Sequence, residues 1–280
     1  MSSPWDSATD RTDRPGLFGI VEQAAPGTSI AVSRLEFDVL WESLALGEMP
    51  LVLKVESPGR THTERRRLVE DAWQAMENRG FVRSATEYER LTDLVRLLAR
   101  PEREIDGRLW FGRKVGSIRV LAAASGADAA MAVLSAEGLT LREAAPSGLA
   151  REALSVLPPL PAGNGESVTV PSRQLEAAAK NAATPTEFET ALRENGVRER
   201  DAALLAAMMM RLRRHGQFGA AARDRWGHRT RARRVLSVFD TRAGRYLQTR
   251  SIAEPDAEPW TTVSPADQRL LISQLEDLST

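Results

Sequence analysis

The chain has 280 residues with 38 basic against 38 acidic side chains, so its formal net charge is zero and the whole molecule carries no bias toward nucleic acid or anionic lipid. It contains no cysteine, which excludes thiolate nucleophiles, cysteine-ligated metals and disulfides. Apolar residues at 42% and charged residues at 27% are the proportions of a folded soluble chain, either one large domain or two halves sharing a sheet.

Residues 1–27 are rich in Ser, Asp, Pro and Gly and lack periodicity. They read as a flexible tail with one apolar island at Leu17, Phe18, Ile20 and Val21. The charges at Asp6, Asp10, Arg11, Asp13 and Arg14 break up any secretory signal, and no apolar run approaches the length that spans a bilayer. Cytoplasm is the expected compartment.

Order begins near Ile30. Ser33 with Glu36 forms a capping box, Leu35, Val39, Leu40 and Leu44 recur at helical spacing, and Gly47 ends the run. Leu51–Val55 reads as a short strand, and Ser57-Pro58-Gly59 as a turn. Thr61 with Glu64 opens a second helix that Gly80 stops. Thr86 with Glu89 opens a third, ended by Pro101. Short strands punctuated by turns follow: Arg103–Phe111, Val115–Ala124, Ala129–Ser135 and Leu139–Glu143, the pattern of an antiparallel meander. Ser147 caps a helix to about Leu157, and the Pro- and Gly-rich stretch 158–166 is a linker.

A similar series then starts again. A strand at Ser167–Val170 leads to a helix opened by Ser172, and Thr184 caps another with Pro185 at its first position. Asp201–Arg214 is a third helix. Strands are expected at Phe218–Arg225, Arg229–Asp240, Arg245–Arg250 and Trp260–Val263, with a last helix capped by Ser264. Arg119-Val120-Leu121 returns as Arg234-Val235-Leu236. The shared order of helices, meander and capped helix predicts an internal duplication, with an N-terminal half at 28–157 and a C-terminal half at 167–280.

No catalytic pattern emerges. His62, His215 and His228 lack metal-ligand spacing, and there is no phosphate loop, dinucleotide fingerprint or nucleophile elbow. The expectation is a protein without enzyme activity, small-molecule substrate, metal or cofactor. From Arg211 to Arg234 nine arginines face only Asp224. This segment is a solvated sheet face paired with acids from elsewhere, a protein-partner surface, or a nucleic-acid contact. Met208-Met209-Met210 is core filler or adaptable partner surface. Trp110 and Phe111, like Trp226 in the second half, sit at a predicted hairpin tip, where large aromatics either anchor a partner or fold inward.

Leu35-x-x-Asp38-Val39-Leu40-Trp41-x-x-Leu44-x-Leu46-Gly47-x-x-Pro50 and Ser57-Pro58-Gly59-Arg60-Thr61-x-x-Glu64-Arg65 resemble the opening of the EspG family. Gly244-Arg245-Tyr246 and Trp260-x-x-Val263-Ser264-Pro265-Ala266-Asp267-x-x-Arg269-Leu270 resemble its close. The similarity covers roughly Ile30 to Leu278. It implies an α+β fold with a quasi-two-fold repeat, a central antiparallel β-sheet flanked by two α-helical bundles. It also implies a cytosolic, non-enzymatic chaperone of ESX (type VII) secretion in actinobacteria. Such a protein binds a PE–PPE-like heterodimer at the hydrophobic PPE tip and keeps it soluble; a WXG-type substrate is the variant partner. Mapping the family's contact regions nominates Trp110, Phe111, Arg113 and Lys114 at the first hairpin, Arg225 and Trp226 at its counterpart, and Met209 on the C-terminal helices. The runner-up function is a nucleic-acid-associated protein that uses the basic 211–234 hairpin, testable by the loss of salt-dependent DNA retention on replacing Arg229, Arg231 and Arg233.

Overall fold

A computed structural model describes residues 29–81, 84–180, 182–251 and 257–279. The expected N-terminal tail and its apolar island lie outside the described residues. The first series runs β1 (Ile30–Val32), α1 (Arg34–Ser43), α2 (His62–Asn78), α3 (Ala85–Ala99), β2 (Arg103–Trp110), β3 (Ser117–Ser125), β4 (Asp128–Leu134), β5 (Leu139–Glu143) and α4 (Leu149–Leu154). The second runs β6 (Val168–Pro171), α5 (Ser172–Ala179), α6 (Pro185–Glu194), α7 (Glu199–Met209), β7 (Arg214–Arg223), β8 (Arg229–Arg231), β9 (Leu236–Thr241), β10 (Gly244–Ser251), β11 (Trp260–Pro265) and α8 (Gln268–Glu276).

The eleven strands among the described residues join one sheet in the order β1-β5-β4-β3-β2-β7-β9-β10-β11-β6, with β8 pairing off β7. Every ladder is antiparallel. The first series supplies one side of the sheet and the second the other, and they meet at β2 and β7, paired from Arg103 opposite Ala222 to Trp110 opposite His215. A strand's side chains alternate between faces. On one face Ile105, Leu109, Ile118, Val120, Phe218 and Val238 are buried with α4 and α8. On the other, Leu121, Ala123, Ala130, Ala132 and Leu141 pack under α1 and α3. Further along that face, Phe239, Tyr246, Val263 and Val168 pack under α5, α6 and α7. Between these two helical groups the described residues leave the middle of the sheet open.

Gly107 sets the central register. A Cβ there would stand 2.7 Å from both Phe218 and Val120, so only glycine lets the Phe218 ring lie across β2. The 158–166 linker is ordered. Its Ala162 bridges Arg245 in parallel, Arg245 N–H donates to the Pro161 carbonyl and Gly163 N–H to the Arg245 carbonyl, both at 2.9 Å. The Arg245 side chain, 2% exposed, donates from Nε to Asp240 Oδ1 at 2.8 Å and from Nη2 to the Pro158 carbonyl at 2.9 Å. Tyr246 Oη donates to the Asn164 carbonyl at 3.0 Å. A Cβ on Gly244 would stand 2.6 Å from Gly163 Cα, so Gly244-Arg245-Tyr246 is a clamp on the linker.

Several boundaries differ from expectation. Leu51–Val55 forms no strand: Leu53 N–H closes a turn on the Pro50 carbonyl, and Val52 and Leu53 plug the core under α1, while the adjacent sheet edge is taken by β1. The cap of α3 is Ser84, not Thr86. Ser147 lies in a one-turn 3-10 helix before α4. Ser264 remains in β11 opposite Leu247, and Asp267 caps α8 through Leu270 N–H. The expected helix to Arg214 ends at Met209, because Met210 turns extended with ψ 154°, and Arg211 at φ 63° is in a left-handed conformation that does not resume it. Arg229–Asp240 divides into β8 and β9.

Candidate functional site: the open centre of the sheet

Along β2, Glu104, Asp106, Arg108 and Trp110 occupy alternate positions, so all four emerge on the open face. Beside them β7 offers His215, Gln217, Gly219 and Ala221, and β3 offers Arg119 and Leu121. A groove of about 590 Å³ follows this face. Its floor is polar. One wall is the loop Glu48–Val52, where Leu51 is 71% exposed, and the other carries the exposed Val235.

Two acids of the floor belong to ion pairs that reach across β7. Arg229 donates from Nε to Glu104 Oε1 at 2.8 Å, and Nη2 reaches the same oxygen. Arg231 forms a fork to Asp106, with Nη2 to Oδ1 at 3.0 Å and Nη1 to Oδ2. Gly219 makes the second pair possible, since a Cβ there would run into the Arg231 guanidinium. The hydrogen bond to Asp106 holds Arg231 above the usual arginine range, with burial opposing it. Of the three readings of the basic segment, pairing with acids from elsewhere accounts for these two arginines. Arg214 lies 3.7 Å from Asp240, and Arg225 stacks 4.0 Å over the Trp226 ring.

The nominated residues fall into two groups. Trp110 ends β2, stacked on His215 with ring centroids 5.4 Å apart and 38% exposed. Arg113 and Lys114 are exposed in the turn that follows. Phe111, 8% exposed, is folded into the core and offers no tip. Met209 is half-buried against the helical core, and the chain leaving it enters β7 at Arg214, the strand end paired with that of Trp110. Arg225 and Trp226 stand instead in the β7–β8 turn, held by Asp224 Oδ1, which accepts from Trp226 N–H and His228 N–H at 2.9 Å each. Trp226 is 68% exposed. The paired β2 and β7 run between the two groups, a span of about 25 Å at strand rise. One small ligand cannot touch both; a protein surface can.

Sequence reasoning missed Leu51, Val235 and the exposed Leu212, along with the polar face of β2. The signal for the last was the alternation of Glu104, Asp106, Arg108 and Trp110 with Ile105, Gly107 and Leu109. Among the described residues, no group of His, Asp and Glu is placed to hold a metal ion, and no helix is long and apolar enough to cross a membrane.

The fold defines a mixed helix-and-strand protein whose exposed features suit the docking of a macromolecule. The EspG family profile matches residues 33–277, and the chain belongs to that family. A solved structure with the same fold is that of the Mycobacterium tuberculosis type VII secretion system chaperone EspG5 in complex with the PE25–PPE41 dimer. It is 18% identical, has a TM-score of 0.67, and the match covers 90% of this chain and 97% of that one. A search of curated protein sequences found no match.

Proposed function

We propose that this protein is a cytosolic, non-enzymatic chaperone of type VII secretion that holds a PE–PPE-type heterodimer, or a WXG-type substrate, soluble until export. Membership of the EspG family, together with the likeness to a chaperone captured on its PE–PPE dimer, carries this reading. The physical features agree with it. A chaperone for an apolar helix tip needs exposed apolar anchors on a rigid support, and here Leu51, Trp110 and Leu212 stand on or beside the sheet. The contact includes the β2–β3 turn with Trp110, Arg113 and Lys114 and the end of α7 with Met209. Arg225 and Trp226 form a separate contact at the far end of the central strands. Within the same proposal, 28–157 and 167–280 are duplicated halves joined by the linker 158–166 and related by a quasi-two-fold axis between β2 and β7.

Co-expression with a PE/PPE-like or WXG-type protein encoded beside it should give a stoichiometric complex on size exclusion. Separate elution with every such neighbour would count decisively against the proposal. The nucleic-acid alternative is weaker by two arginines, because Arg229 and Arg231 are engaged by Glu104 and Asp106.

A further inference from the structure

Arg108 on β2 and Arg119 on β3 are direct register partners, and both side chains emerge on the open face. Like charges directly opposite each other across two strands are destabilising. Neither forms an ion pair with a described residue. The nearest compensation is one backbone carbonyl each: Arg108 Nη2 lies 3.5 Å from the Leu51 carbonyl, at the limit of a hydrogen bond, and Arg119 Nη1 donates to the Lys54 carbonyl at 3.0 Å. Burial depresses the affinity of Arg119 for its proton, and the charges of Arg34 and Arg108 depress it further. The groove's acids do not relieve this. Glu104 and Asp106 are taken by Arg229 and Arg231, and Glu48 makes no ion pair with either arginine. The sheet therefore holds two like charges together, at a cost, on a face where the neighbouring Glu104 and Asp106 are already matched by Arg229 and Arg231.

We propose that Arg108 and Arg119 together receive a carboxylate from a docked protein, an acidic side chain flanked by apolar residues that seat against Leu51 and Trp110. The flanking chemistry follows from the rim. Leu51 is exposed above Arg108, and Trp110 follows two residues along the same face of β2. A protein acid is favoured over a phosphate backbone because the rim beside the two arginines is apolar, at the exposed Leu51 and Trp110, which suits the flanking side chains of a protein rather than a row of phosphates. The assignment deepens the chaperone reading and rests on it only in taking the occupant to be a protein segment.

The test uses the full chain and a fluorescein-labelled helical peptide of about 20 residues built of Leu, Ala and Glu. Its twin has Gln at every Glu, and a single-stranded DNA of similar length is the third probe. Anisotropy titrations at low salt should show the Glu peptide binding about tenfold tighter than its twin. That preference should vanish in R108Q/R119Q and survive in R211Q/R213Q. The R108Q/R119Q variant should also unfold at an unchanged or higher temperature, since a like-charge pair has been removed. Equal binding of the two peptides, or an undiminished preference in R108Q/R119Q, would overturn the assignment. So would a clear fall in that variant's melting temperature, which would make the arginines structural. Tighter binding of the DNA with the same variant dependence would give the site to phosphate instead. These outcomes are independent of whether a secretion substrate co-elutes, so the chaperone reading and this assignment can fail separately.

Discussion

Replacing Asp240 by alanine should be among the most damaging single changes available to this protein. Its carboxylate accepts Arg245 Nε at 2.8 Å and Nη2 at 3.1 Å, and both side chains are 2% exposed. Without it the Arg245 guanidinium keeps only the Pro158 carbonyl and cannot reach water. Removing one partner of such a pair costs about 3–5 kcal/mol, because the remaining charge is stranded. Coulomb attraction at hydrogen-bonding range with an effective dielectric of about 20 gives a similar figure, about 4 kcal/mol. At about 2–4 °C per kcal/mol for a chain of this size class, the melting temperature should fall by roughly 10 °C. Urea unfolding followed by tryptophan fluorescence measures the free energy directly. The double variant D240L/R245M removes both charges and should recover most of the loss, since apolar residues of similar volume replace buried pairs at little cost. A loss below about 1 kcal/mol in D240A, or a double variant no better than the single, would refute the stranded-charge reasoning.

Gly107→Val should destabilise by about 3 kcal/mol or more by urea unfolding, because both Phe218 and Val120 already stand where its side chain would go. Gly219→Ala should free Arg231 from Asp106 for at most about 1 kcal/mol, since the Arg231 end of that pair is solvent-exposed; a crystal structure showing the fork intact would contradict the steric account. Ser33→Ala should cost about 1 kcal/mol, seen as a lower urea midpoint, because Ser33 and Glu36 complete a reciprocal capping box at the start of α1.

The legible part of the fold was local. The box at Ser33 and the cap at Thr184 depend on neighbours within a turn, and they stand where the residues announced them, whereas α1 ends at Ser43, short of the expected stop at Gly47, with Ala45 already left-handed at φ 51°. Pairing partners were not legible. β1 is three residues long and exists because β5 offers an edge, whereas the apolar Leu51–Val55, a better strand by composition, found no edge and filled the core instead. Ser147 and Ser264 were suitable caps that lost to the geometry of the adjoining turn and strand. The family-like stretches were read as marks of identity, yet much of their content is structural. Asp38 pairs with Arg65 at 2.6 Å, Trp41 Nε1 donates to the Gly47 carbonyl at 2.8 Å, and Arg245 and Tyr246 grip the linker. The candidate site was harder to foresee, because Phe111 and Trp226 look alike in sequence but one is core and the other solvent-exposed. The opposition of Arg108 and Arg119 depends on a hairpin register that no single strand displays.

The ion pairs from β8 to β2 bear on how this chain can change over generations. Glu104 and Asp106 are encoded before the linker and their counter-ions Arg229 and Arg231 after it, with Gly219 as the gap through which one of them passes. A recombination event within the linker that brought in a second series lacking Arg229, Arg231 and Gly219 would keep both acids while discarding their cations. Such a hybrid would inherit unneutralised acids at its own seam, so the two series are expected to descend together, each serving as the other's template for charge.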